Sequence, residues 1–200
     1  LIFPGRGEFI EKYGAAANLL SKKNYSVLAI DWRGQGLSDR LHKNSAIGHI
    51  KRYADYQKDV RTTLDAIVLL DLPKPLYLLS HSMGGCIALR SLIDKLPFSA
   101  AVFTSPMWGL PISPLVKTFS KMVSPLVQIS PLATKIVPGG SKQNYVLYTP
   151  FEKNVLTNSQ NMYGRIKNQL NTYPELMLGS PTIGWINESL RECEELENLS

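Results

Sequence analysis

The segment Tyr77–Leu89, YLLSHSMGGCIAL, changes character at its centre. An apolar run over 76–79 gives way to Ser80-His81-Ser82, then to Met83, two glycines and an apolar-rich stretch with Ile87, Leu89 and Ile93 at helical spacing. The pattern predicts a strand over 76–80, a sharp turn at Ser82 and a helix over 83–95. A strand-to-helix turn of this kind exposes one side chain at the carboxyl end of the strand. It crowds the backbone, so small residues are needed two positions before and two after. Ser80 and Gly84 meet that need, with Ser80 standing where glycine is usual. A serine held there is open to a base and to a carbonyl substrate, and the helix N-terminus behind it favours developing negative charge. The competing reading is a small residue in a purely structural turn.

Working outward, further short apolar runs at 1–3, 27–31 and 101–104 predict buried strands. They do not alternate apolar and polar residues, which suits a parallel sheet covered on both faces. Helical periodicity fills the intervals at 9–23 and 50–70. The order strand-helix-strand-helix-strand-helix-strand is that of an α/β sheet. After Pro106 the alternation stops. Prolines punctuate 106–140 between apolar pieces, and a stretch rich in Asn, Tyr and Gln follows over 141–175. This predicts an α/β core over 1–106, an insertion over 107–183, and a helix returning to the core over 184–200.

Two loops carry further signals. Phe3-Pro4-Gly5-Arg6-Gly7-Glu8 lies between the first strand and the first helix. An oxyanion hole needs two backbone N–H groups, one from the residue after the nucleophile and one from such a loop. Met83 and Arg6 are the candidates, with Gly5 and Gly7 allowing close approach. Asp31-Trp32-Arg33-Gly34-Gln35-Gly36 is not a dinucleotide loop, because the third glycine is missing, and Pro138-Gly139-Gly140-Ser141-Lys142 is not a phosphate loop. Asp31 is expected to stabilise its turn through Arg33 or the loop rather than to serve as a catalytic acid.

Composition narrows the function classes. The 200 residues are 44% hydrophobic, enough for a real core, and carry a net charge of +6. The basic residues are scattered with no block of five, so nucleic acid is not an expected partner; the charge reads first as a plain solvated surface, and an anionic substrate or membrane surface fits better than nucleic acid. Cys86 and Cys193 form no Cys-x-x-Cys pair, and no metal or cofactor is expected. The chain starts inside an apparent strand and stops in a helix, so both ends read as cut.

The motifs FPGRGE, DWRGQGLSDR, GHIKRYADYQKDV, HSMGG, SPMWGL and GSPTIGWINESL occur in one order along nearly the whole chain. Together they resemble the monoacylglycerol lipase and bacterial lysophospholipase branch of the α/β-hydrolases, often called serine-aminopeptidase-like. The resemblance implies a mostly parallel sheet with helices on both faces and a helical lid over 107–183. It implies Ser82 as nucleophile and the amides of Arg6 and Met83 as oxyanion hole, with Pro4-Gly5 where many relatives have His-Gly. Trp108, Leu110 and Trp185 are the candidate substrate contacts. The apolar lid residues, among them Leu110, Ile112, Leu115, Val116, Phe119, Met122, Val123, Leu126, Val127 and Leu132, suit an acyl chain or a membrane surface, or else pack on one another.

In this fold the catalytic acid and then the histidine follow the lid. Only His42, His49 and His81 are present, all before Ser82 or adjoining it, and none is expected to be the base. The expectation is therefore a full-length serine hydrolase of lipid esters, with lysophospholipid or monoacylglycerol as substrate, and a 200-residue chain that is nearly inactive alone. The expected location is the cytoplasm or inner-membrane surface of a bacterium. An esterase or aminopeptidase-like enzyme for small substrates, and a non-catalytic binding protein on the same fold, remain open. Oligomeric state is not legible.

Overall fold

The computed structural model describes residues 1–112 and 126–199. Leu115, Val116, Phe119, Met122 and Val123 of the expected apolar lid lie outside the described residues. The strands are β1 (Ile2–Phe3), β2 (Leu76–His81) and β3 (Phe98–Thr104). The α-helices that lie wholly within the described residues are α1 (Gly14–Ser21), α2 (Asp55–Leu69), α3 (Met83–Ile93), α4 (Tyr145–Tyr148), α5 (Gln160–Thr172) and α6 (Ile183–Leu199).

The sheet is parallel in the order β1-β2-β3, with Phe3 opposite Ser80 and Ser80 opposite Phe103. The strand expected over 27–31 is reduced to a single bridge between Ala29 and Ile2, with Ile2 N–H donating to Leu28 carbonyl at 2.8 Å. β1 is two residues long, so it offers its neighbour no longer ladder. Tyr77 and Val102 stay 43% and 58% exposed, so one face of the sheet is partly open among the described residues.

The helix expected over 9–23 splits into a 3-10 turn, Ile10–Tyr13, and α1. Asn24 ends it at φ +63°, a left-handed conformation that asparagine tolerates. α2 begins at Asp55, where a carboxylate in the first turn complements the helix dipole. Behind the sheet, Phe3, Trp32, Tyr56 and Tyr53 form a chain of edge-to-face rings at 4.9, 5.7 and 5.1 Å. Such contacts stabilise by roughly 0.5–1.5 kcal/mol each beyond their area. Val60 of α2, Met83, Cys86 and Ile87 of α3, and Cys193 and Leu196 of α6 complete this core.

A second cluster forms apart from it. Val146 of α4, Tyr163 and Leu170 of α5, and Leu176 pack around Phe9, which is 1% exposed. Phe9 belongs to the loop after β1, so the segment that follows β3 is seated on that loop. The same segment is tied to the core where Gly48 bridges Pro181 and where Gly179 N–H donates to Ala46 carbonyl at 2.7 Å.

Candidate active site

Ser82 joins β2 to α3 at φ +49°, ψ −118°. A non-glycine residue there costs of order 1–3 kcal/mol and persists only where its surroundings hold it. Backbone hydrogen bonds do so: Ser82 N–H donates to Thr104 carbonyl at 3.1 Å, and Ser82 carbonyl accepts from Gly85 N–H at 2.8 Å, Met107 N–H at 2.9 Å and Cys86 N–H at 3.4 Å. The small neighbours are required by contact. Ser80 is fully buried with its hydroxyl on Val102 carbonyl at 3.1 Å. A Cβ on Gly84 would meet Phe3 carbonyl oxygen at 2.2 Å, and one on Gly85 would meet Pro106 Cβ at 2.7 Å. The need at Gly85 is invisible in the sequence, because Pro106 arrives from β3.

The loop after β1 lies against this turn. A Cβ on Gly5 would sit 3.1 Å from Ser82 Cβ. The loop's polar groups are largely engaged: Gly5 N–H donates to Glu8 Oε2 at 2.6 Å, Gly7 N–H to Gln35 Oε1 at 3.2 Å, Gln35 Nε2 to Gly5 carbonyl at 2.9 Å, and Trp32 Nε1 to Pro4 carbonyl at 2.9 Å. The amides of Arg6 and Met83 have no acceptor among the described residues. Two donors are thus left over on the two segments that meet at Ser82.

The Arg6 side chain turns into the protein. Its guanidinium donates to Gly179 carbonyl at 2.9 Å and lies 5.1 Å from the centre of the Trp185 ring, while Nε is buried with no hydrogen-bond partner among the described residues. Burial lowers its pKa to about 10. Trp185 is 4% exposed and donates from Nε1 to Tyr56 hydroxyl at 3.3 Å, so it supports the loop from below.

The histidines are committed elsewhere. His81 Nδ1 lies 3.0 Å from both the carbonyl and the hydroxyl of Thr104, and its Nε2 lies 3.7 Å from Glu8 Oε1. His49 Nδ1 pairs with Thr182 hydroxyl at 2.9 Å, and His42 Nδ1 accepts from Asn44 N–H at 3.0 Å. Asp31 accepts from Ile10 N–H at 3.0 Å and Leu37 N–H at 2.9 Å, which makes it a turn-holding carboxylate. Arg33 does not pair with it, as the sequence had offered; its guanidinium binds Asp59 instead, at 2.7–2.9 Å.

A cavity of about 540 Å³ opens beside the loop. Arg6, Glu8, Lys12, His81, Gln143 and Asn144 are among its polar lining residues, and Phe9, Tyr145, Val146, Met162, Tyr163, Ile166 and Leu178 among its apolar ones. Trp108, Leu110 and Trp185 do not line it. Trp108 is half exposed against Phe103, with ring centres 5.3 Å apart. The lining residues from α5 fall in a stretch that reads as polar, yet Met162, Tyr163, Ile166 and Leu170 recur there at helical spacing. That periodicity is the signal that could have found them.

A parallel sheet flanked by helices, with a strained serine at a strand-to-helix turn, defines the α/β-hydrolase class. Over the described residues the fold matches the monoacylglycerol lipase of Paleococcus ferrophilus, with a TM-score of 0.63 at 18% identity, covering 98% of this chain and 66% of that one. The chain belongs to the family described as serine aminopeptidase, S33, whose model matches residues 1–199. It is 32% identical over 198 residues to lysophospholipase L2 of Escherichia coli K12, covering 98% of this chain and 57% of that protein. It is 27% identical over 201 residues to a probable lysophospholipase L2 of Haemophilus influenzae, covering 62% of that protein. The chain thus spans about three fifths of the length of these curated relatives.

Proposed function

We propose that the full-length protein is a serine hydrolase of lipid carboxylic esters, acting on lysophospholipids or monoacylglycerols through an acyl-enzyme on Ser82. The observation that carries this is the strained Ser82 turn, flanked by two amides that have no acceptor among the described residues; a cavity lined by Arg6 and His81, though not by Ser82 itself, opens beside the Arg6 loop. Similarity to proteins named lysophospholipase L2 supports the lysophospholipid as first choice.

In this mechanism the Ser82 hydroxyl attacks the ester carbonyl, and the negative oxygen is received by the N–H groups of Met83 and Arg6. Donors of this kind act in a preorganised site and supply a large share of the barrier lowering. The glycerol-side alcohol leaves, taking a proton. Water then attacks the acyl-enzyme and releases the fatty acid. None of the three histidines here is assigned as the base, since each is held by other groups. Residues 107–183 act as the lid, and the acyl chain lies along α4 and α5. Tyr148 and Leu156, which line the cavity and are 52% and 60% exposed, offer apolar surface fit to meet a lipid surface on the cytoplasmic side.

The test is turnover by the full-length protein of lysophospholipid, monoacylglycerol, p-nitrophenyl esters of graded chain length, and aminoacyl amides. Release of long-chain fatty acid that vanishes in Ser82→Ala is expected. Preference for aminoacyl amides would replace the lipid-ester reading, and no turnover of any of them would favour the binding-protein reading.

A further inference from the structure

Glu8 is a carboxylate in an unexpected place. It sits on the loop proposed to supply an oxyanion donor, its side chain is only 11% exposed, and with Arg6 and His81 it lines the cavity beside that loop. A negative charge there would oppose a developing oxyanion unless it were neutralised and had another task. Its contacts show both. Oε2 accepts from Gly5 N–H at 2.6 Å and also from the Tyr13 hydroxyl. Oε1 is paired with the Lys12 ammonium and lies 3.7 Å from His81 Nε2.

Gly5 lies directly against Ser82, while Pro4 next to it lies against Gly84. A Cβ on Gly5 would lie 2.9 Å from Glu8 Oε2 and 3.1 Å from Ser82 Cβ, so no side chain fits between carboxylate and serine. The Arg6 N–H belongs to the peptide after Gly5, whose carbonyl is held by Gln35 Nε2 at 2.9 Å, and Glu8 holds the peptide before Gly5. With both flanking peptides tied, the φ and ψ of Gly5 are restricted, and with them the rotation that would turn the Arg6 amide away from Ser82. Gln35 holds the same loop from the other side, accepting from Gly7 N–H and donating to Gly5 carbonyl.

We infer that Glu8 is a positioning residue for catalysis: its carboxylate, seated by Tyr13 and Lys12, clamps the Gly5 amide so that the Arg6 N–H points at the carbonyl oxygen attacked by Ser82. The inference rests on the reading of Ser82 as nucleophile and the Arg6 amide as oxyanion donor. The two donors on Glu8 are suited to this task. Burial alone would raise the Glu8 pKa, but the Lys12 ammonium and the hydrogen bonds from Lys12 and Tyr13 outweigh it and hold the group below the usual carboxylate range. Tyr13 in turn is pushed well above its ordinary value by burial and by Glu8, so it stays a donor.

The test uses the full-length protein and the variants Glu8→Ala, Glu8→Gln and Tyr13→Phe. For each, kcat and KM are measured on a p-nitrophenyl ester, together with the affinity for an alkyl boronic acid, which mimics the tetrahedral oxyanion, and the Tm. Glu8→Ala is expected to lower kcat by about 10- to 100-fold, the range for a displaced oxyanion donor or somewhat below it. KM should change less than threefold, and boronate affinity should fall in step with kcat. Glu8→Gln keeps an oxygen to accept the Gly5 N–H and should recover most of the loss. Tyr13→Phe should lower kcat several-fold without changing KM. Should Glu8→Ala fail to fold, the Gln and Phe variants carry the same comparison.

Wild-type kcat in Glu8→Ala, a loss confined to KM, or equal deficits in Glu8→Gln and Glu8→Ala would overturn the inference. If the wild-type protein itself neither turns over ester nor binds boronate, the reading of Ser82 fails instead, which is a separate outcome.

Discussion

Gly84 packs directly beneath the Phe3 carbonyl: a methyl group on Gly84 would stand 2.2 Å from that oxygen and 2.6 Å from the carbonyl carbon. The first turn of α3 and the end of β1 are thus in backbone contact, and this brings the Pro4-Gly5-Arg6 loop to Ser82. The obstruction is backbone, so no flexible side chain can yield.

Gly84→Ala should therefore destabilise by about 1–3 kcal/mol, the usual range for overpacking a core. It should also reduce Ser82 reactivity more than the stability loss explains, because β1 and the loop must shift together. Chemical denaturation and the rate of fluorophosphonate labelling, measured on the same full-length variant, check both parts. Unchanged stability would mean that α3 and β1 are not in this contact.

Glu188 of α6 is 1% exposed and accepts from the Tyr53 backbone N–H at 2.8 Å, with Arg191 3.3 Å from its other oxygen. Glu188→Ala strands a buried amide, at a cost of about 1–3 kcal/mol. Glu188→Gln preserves the acceptor and should cost less. The two denaturation midpoints should fall in that order below wild type.

His49 has its pKa lowered, first by burial and then by His42. The unfolded chain then takes up a proton at higher pH than the folded one. Stability is full above the unfolded value of ~6.5 and declines as pH falls through that value towards the folded pKa. Urea midpoints measured from pH 7.5 down to 5.5 should drop in the wild type and drop less in His49→Gln, whose amide can still bond to the Thr182 hydroxyl.

The apolar side of the cavity should set the acyl-chain preference. Ile166 on α5 lines it, and Ile166→Trp would shorten the space available. Each methylene returned to water costs ~0.8 kcal/mol, so losing room for two lowers kcat/KM for the longest chains by roughly tenfold. Short-chain esters should be unaffected. A uniform loss across chain lengths would place the acyl chain elsewhere.

How much of this was legible before the structure differs by element. β2, the turn at Ser82 and α3 read clearly, because an apolar run, a small-residue turn and a helical repeat follow one another within twenty residues. The 27–31 strand did not survive as a strand. Composition says that Leu28 and Ile30 avoid water, but the length of a ladder is set by its partner, and β1 is short. The residues around Trp108 and Leu110 drew attention by being large and apolar. The wall of the cavity beside the Arg6 loop is built by α4 and α5, where polar neighbours mask a helical stripe. Phe9 seats that wall, a contact across more than a hundred residues that no local pattern encodes. The role of Glu8 is hidden for a different reason. Sequence gives its spacing from Gly5, but only the fold shows that Gly5 touches Ser82.

The central claim is that Ser82 is the nucleophile. Its most direct measurement is fluorophosphonate treatment of the full-length protein, followed by peptide mapping of the adduct by mass spectrometry. The account predicts one stoichiometric adduct on Ser82 and loss of both label and esterase activity in Ser82→Ala. An adduct on another serine, or esterase activity that survives Ser82→Ala, would contradict it.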